Sequence, residues 1–105
     1  MKNLQSLWFP LHSPLLLQHR IAMAPMTRNR ASDAHVPTEM MATYYAQRAS
    51  TPGTLLVSEA TLISHSAGGL NNVPGIYTAD QVAAWKWSKA LPSKRRPTPP
   101  PCAIW

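Results

Sequence analysis

Two kinds of hydrophobic pattern divide the first four-fifths of the chain. Residues 21–24, Ile-Ala-Met-Ala, are apolar at consecutive positions and stop at Pro25, after which Met26-Thr27-Arg28-Asn29-Arg30 is mostly polar. Apolarity without alternation marks a strand buried on both faces, as a parallel sheet requires, and a proline removes the next ladder donor. The loop from Pro25 to Pro37 holds Arg28, Asn29, Arg30, Ser32 and Asp33, so it is polar enough to stay solvated or to line a cleft. A helix is expected next, with Thr38 as N-cap and Glu39 facing the positive end of the helix dipole. Met41, Tyr44, Tyr45 and Arg48 follow at three- and four-residue spacing, an apolar stripe with a polar border that should pack on the sheet. Pro52 and Gly53 end the helix. Residues 54–58, Thr-Leu-Leu-Val-Ser, then form a second buried strand from which Glu59-Ala60-Thr61 emerges. Parallel α/β folds bind ligands at the C-terminal ends of their strands, so both emergent segments should share one functional rim.

A Gly-containing excursion through 64–77 leads to a second helix. Its start is marked by Thr78-Ala79-Asp80-Gln81, a hydroxyl followed three residues later by Gln, which fits a capping box. Val82 and Trp85 are expected to face the sheet. At the other end, residues 7–19 contain Pro10 and Pro14 and alternate poorly, which suggests irregular structure or a short hairpin. After the second helix a continuing parallel sheet needs a third strand, but Ser88-Lys89-Ala90-Leu91-Pro92-Ser93-Lys94-Arg95-Arg96-Pro97 stands there, and no third strand is expected.

Charge sharpens that boundary. The net charge is +6; Lys86, Lys89, Lys94, Arg95 and Arg96 supply five of the ten cations, and the four acidic residues (Asp33, Glu39, Glu59, Asp80) all precede them. Five of the eleven prolines fall within 92–101. This end should therefore be extended or disordered, dividing the chain into a folded region, 1–87, and a Pro-rich basic tail, 88–105. The tail resembles a basic polyproline ligand of SH3-type domains, although nucleic acid is not an expected partner. It also reads as a shifted frame. With the Lys86 codon ending in G, stepping back one nucleotide from Trp87 gives Val-Val, then a choice including Glu or Lys, then Gly or Ser, which would continue an amphipathic helix.

Other chemistry is sparse. No apolar run approaches the roughly 20 residues of a membrane helix. The single cysteine, Cys102, forms no intrachain disulfide, which agrees with a reducing, cytoplasmic location. His12, His19, His35 and His65 lack ligand spacing, so no metal site is expected and solvated or cap-like roles are assigned to them. Tyr44 and Tyr45 lie mid-helix and read as packing residues rather than acids. Glu59 is a candidate buried carboxylate whose partner is not visible in the sequence.

Taken in order, Ala24-Pro25-Met26-Thr27-Arg28, Tyr44-Tyr45-Ala46-Gln47-Arg48-Ala49-Ser50, Ser58-Glu59-Ala60-Thr61 and Val73-Pro74-Gly75-Ile76-Tyr77 closely resemble the start of the Old Yellow Enzyme family, FMN-dependent ene-reductases built on a TIM barrel. The resemblance runs from about residue 7 to residue 85. It implies an α/β fold that is an N-terminal fragment of a (β/α)8 barrel, about two βα units, since a closed barrel needs roughly 250 residues. The hairpin near the start would cap the barrel's base. It implies FMN as cofactor, with NAD(P)H and an activated alkene as substrates of the intact family. Ala24, Pro25, Met26 and Thr27 would approach the isoalloxazine, with Thr27 near a flavin carbonyl, and Ala60 would lie at the ring's edge. From local chemistry alone, Pro25 ends a strand and Thr27 caps a turn; the longer correspondence favours the flavin role.

The resemblance also implies what this chain lacks. The family's third strand carries a Gln-Leu-Trp motif whose glutamine contacts the flavin. Later strands supply the substrate-polarising His/Asn or His/His pair, a tyrosine proton donor and the phosphate grip. The expectation is a truncated family member, arising from a frameshift, an alternative splice or a faulty gene model, that binds flavin weakly or not at all, with no catalytic residue of its own. The alternative is a non-enzymatic interaction fragment that associates through its open sheet edges or its tail.

Overall fold

The structure, a computed structural model, describes residues 4–11, 17–86 and 103–104. A 3-10 turn at Leu4–Trp8 precedes β1 (Ala22–Met23), α1 (Glu39–Arg48), β2 (Leu55–Leu56), α2 (Ala79–Trp85) and β3 (Ala103–Ile104). The strands form a parallel sheet in the order β1-β2-β3, with Ala22 opposite Leu55 and Met23 opposite Leu56. Two helical crossovers therefore link neighbouring parallel strands, the repeating unit of a βα barrel. Near the start, Leu11 and Leu17 form an antiparallel bridge, consistent with the short hairpin.

The third strand departs from the sequence expectation. Ala103–Ile104 pairs parallel with β2, with Leu55 opposite Ala103 and Leu56 opposite Ile104. A two-neighbour strand such as β2 has backbone donors and acceptors on both edges, and a short apolar segment of the same chain satisfies the second edge. The rest of the tail expected to be disordered, residues 88–102 and 105, lies outside the described residues, as does residue 87.

Helix α1 begins where Thr38 predicts, but its hydroxyl does not cap the helix. It donates instead to the Arg30 carbonyl at 2.7 Å, pinning the preceding loop to the helix start. The buried row is Met41, Tyr45 and Ala49, four residues apart. Tyr44 and Arg48, expected in the stripe, sit one position around the helix: Tyr44 is half-buried and Arg48 exposed. Ala31, Met41 and Tyr45 form the core, flanked by Met23, Tyr44 and Trp85.

At α2 the capping box is present in full, since the Thr78 hydroxyl accepts from the Gln81 N–H and the Gln81 side chain accepts from the Thr78 N–H. Val82, however, does not face the sheet; it is 40% exposed, whereas Gln81 is 1% exposed. Polar accounting explains the rotation. The Gln81 Oε1 accepts from Tyr77 N at 2.9 Å and Thr78 N at 3.1 Å, and its Nε2 donates to the Ala34 carbonyl at 3.1 Å. An amide that joins three backbone groups from two loops has to point inward. Trp85 does face the core, and its indole donates to the Gly75 carbonyl at 3.0 Å.

The turn into β2 depends on one glycine. Gly53 has φ +71°, and a Cβ there would lie 2.5 Å from the Gln18 Cγ and 2.7 Å from the Gln18 N. Gly53→Ala should therefore cost about 1–3 kcal/mol, read as a lower urea midpoint with an unchanged slope.

Candidate functional site

The parallel pairing brings both strand exits to the same end of the sheet. Beyond β1 the ladder continues for one bond, Val57 N to the Met23 carbonyl at 3.0 Å, and then the two chains separate. Ala24, Pro25, Met26 and Thr27 follow as an exposed segment, and Ala60 is exposed two residues past the end of the 54–58 run. Among the described residues the Thr27 hydroxyl has no hydrogen-bond partner. Four of these five side chains are small, so backbone atoms are open to a ligand on this rim.

Behind the rim lies a polar cluster whose partners the sequence did not reveal. Glu59 is 3% exposed and Tyr45 is 1% exposed. The Tyr45 hydroxyl donates to Glu59 Oε1 at 3.3 Å and accepts from the Glu59 N–H at 3.0 Å, so one phenol meets both the side chain and the backbone of the same residue. The second carboxylate oxygen, Oε2, accepts from the Arg28 N–H at 3.3 Å. The candidate buried carboxylate is thus paired. Tyr45 is the packing residue expected, and it also carries this bond.

Burial pushes the Tyr45 phenol up to about 12, with the nearby Glu59 charge adding to the rise and the bond from the Glu59 N–H opposing it. Tyr44 stacks edge-on against Tyr45 with ring centroids 5.3 Å apart. The Arg48 guanidinium sits 3.7 Å above the Tyr44 ring and that of Arg28 5.9 Å away. Arg28, Arg30, Met40, Met41, Tyr44 and Glu59 enclose a cavity of about 120 Å³ between the first exit loop and α1.

The histidines divide. His19, assigned a solvated or cap-like role, is 8% exposed: its Nε2 bonds Thr54 Oγ1 at 2.9 Å and its Nδ1 accepts from the Ile21 N–H at 3.2 Å. The cap-like reading fits, and the solvated one does not, because Thr54 and the start of β1 enclose the ring. His35, at φ +59°, bonds the Val73 carbonyl through Nδ1 at 2.7 Å, and His65 lies in an exposed 3-10 turn. His12 lies outside the described residues. Among the described residues no helix is long and apolar enough to cross a membrane.

Tyr45 and Arg28 as partners of Glu59 are what sequence reasoning missed. The available signal was chemical: a carboxylate at the end of a buried strand needs donors, and a tyrosine on the core face of a helix needs somewhere to place its hydroxyl.

The chain belongs to the NADH:flavin oxidoreductase / NADH oxidase family, whose model matches residues 7–89. It is 64% identical over 81 residues to chanoclavine-I aldehyde reductase fgaOx3 of Penicillium roqueforti, covering 76% of this chain and 22% of that protein. Among solved structures, Old Yellow Enzyme from Pichia sp. AKU4542 superposes with a TM-score of 0.77 at 38% identity, over 81% of this chain and 22% of the other. The Old Yellow Enzyme homologue from Zymomonas mobilis gives a TM-score of 0.70 at 52% identity, over 76% and 22%. The chain is therefore an α/β piece of an Old Yellow Enzyme-type TIM barrel, spanning about a fifth of the length of these relatives.

The raised Tyr45 pKa makes stability depend on alkaline pH. The folded state keeps the phenol protonated above its ordinary value of 10.0 and up to about 12, so the contribution is complete below pH 10 and is lost as pH rises through 12. At ~1.4 kcal/mol per unit, the loss should be of the order of 2–3 kcal/mol. Tyr45→Phe should remove this alkaline component and cost about 1–3 kcal/mol at neutral pH, because the buried Glu59 N–H loses its acceptor. Urea unfolding of both proteins from pH 8 to 12.5 checks it.

Proposed function

We propose that this chain supplies the ring-facing rim of an FMN site in an NAD(P)H-dependent oxidoreductase, with Ala24, Pro25, Met26 and Thr27 on one side and Ala60 on the other. The observation that carries this reading is the parallel β1–β2 pair, whose exits share one rim and are joined by the Arg28 N–H on Glu59. The residues present fit the group: small side chains allow a flat ring to approach the backbone, and the Thr27 hydroxyl, which has no hydrogen-bond partner among the described residues, is a donor suited to a flavin carbonyl. A side chain larger than methyl at Ala60 would crowd the ring.

When bound, FMN supplies hydride transfer from NAD(P)H to an activated alkene such as an enone. The residues of this chain would bind and orient the ring, and no proton-transfer role is assigned to any of them. The third strand carries Ala103 and Ile104, so no glutamine amide is offered from it. Phosphate binding is likewise outside what these residues provide, and FMN should be held weakly. The single cysteine supports a cytoplasmic location.

A second reading, self-association, is favoured by exposed apolar side chains: Leu4, Trp8, Phe9 and Ile63 are 72, 64, 60 and 77% exposed. With a strand edge open on the far side of β1, such surfaces promote pairing between copies. Sedimentation velocity should then give a mass that rises with concentration; a monomer throughout would reject this reading.

The flavin reading is checked by titrating lumiflavin, the ring without its phosphate, into the isotope-labelled chain. Amide shifts should concentrate on Ala24, Met26, Thr27 and Ala60. Purified protein should retain far less than one FMN per chain. Shifts elsewhere, or none at saturating lumiflavin, would remove the assignment.

A further inference from the structure

We propose that Tyr45 and Glu59 are positioning residues, which set the spacing between the two exit loops by holding the backbone of Arg28 against the end of the second strand. The inference rests on the reading of those loops as the ring-facing rim.

The geometry is specific. Arg28 directly follows Thr27, and Glu59 directly precedes Ala60, so a bond between the Arg28 N–H and Glu59 Oε2 joins the two segments one residue from the ligand-facing positions on each side. This is the bridge between the loops beyond the last ladder bond, Val57 N to the Met23 carbonyl. A glutamate side chain has three rotatable bonds and would not hold a loop by itself. The Tyr45 hydroxyl removes that freedom, since it donates to the other carboxylate oxygen and accepts from the Glu59 N–H. Tyr45 is anchored in turn by the core, where Ala31 and Met41 pack with it and Trp85 lies 6.4 Å away between ring centroids. The position of the helix is thereby passed to both loops through one side-chain chain: core, phenol, carboxylate, loop amide.

A packing residue and a positioning residue make different predictions. Tyr45→Phe keeps the ring that fills the core and deletes only the hydroxyl; Glu59→Gln keeps the shape and replaces one acceptor oxygen by a donor. If the bridge positions the loops, both variants should increase fast backbone motion, measured by 15N relaxation, at Met26, Thr27, Arg28 and Ala60. The Arg28 amide should exchange with solvent at least tenfold faster. Once the drop in global stability read by urea unfolding is subtracted from every amide, the Arg28 excess should remain, and amides of Met41 to Arg48 and of α2 should change less than twofold. Met41→Ala serves as the contrast, since it damages the same core without touching the bridge and should not loosen the loops selectively.

Unchanged loop motion and Arg28 exchange in Tyr45→Phe would overturn the proposal. Equal loss of protection in the loops and in α1 would overturn it too, because the cluster would then act only through overall stability. The same samples titrated with lumiflavin separate the two readings. Where the wild-type chain shows rim shifts, both variants should need several-fold more lumiflavin for the same shift. If lumiflavin fails to act on the wild type, the flavin reading falls while the relaxation data still decide the positioning role.

Discussion

A carboxylate taken out of water must be met by donors, and that requirement at Glu59 organises the end of the sheet. The residue sits where the second strand leaves the core, 3% exposed, and its donors come from places far apart in the chain: a phenol from α1 and a backbone amide from the loop after β1. Once those donors are in place, the helix, the first exit loop and the second exit loop share one junction. Desolvating the carboxylate without them would cost several kcal/mol. The junction is thus a condition of burying this strand end at all.

The same economy of polar contacts recurs around the molecule. His19 bonds Thr54 and receives the Ile21 amide, which ties the approach to β1 to the start of β2. Gln81 ties the loop before α1 to the start of α2, and the Thr38 hydroxyl ties that loop to α1 itself. The apolar core that accompanies them is small, built on Ala31, Met41 and Tyr45. With two-residue strands and so little buried volume, backbone-directed side-chain bonds carry much of the job of fixing where the loops lie.

The Glu59 junction, by contrast, is buried at the strand exit itself. Ala24 to Thr27 and Ala60 are exposed, whereas the side chains of Glu59 and Tyr45 are buried; Arg28 is exposed and joins the junction through its backbone N–H. The apolar end of the chain, meanwhile, occupies the second edge of β2 as β3, because an unsatisfied strand edge is a general acceptor for any short extended segment within reach.

Local pattern was enough to read the parallel α/β class, the positions of β1 and β2 but not of β3, the start of each helix and the rim on which the loops emerge. Apolar runs, proline stops and the capping box of α2 are all written in neighbouring residues, although β1 is exposed at Ala22 and half-buried at Met23 rather than buried on both faces. The motif order identified the family for the same reason, since it lies along the chain. What local pattern did not contain was any contact that spans the fold. The inward turn of Gln81 in place of Val82 depends on the Ala34 carbonyl 47 residues away, the burial of His19 on Thr54 35 residues away, and the partners of Glu59 on separations of 14 and 31. Hydrophobic periodicity measures how much each position prefers to leave water. It carries no information about which distant donor will meet a buried acceptor, and only the packed chain brings the two together.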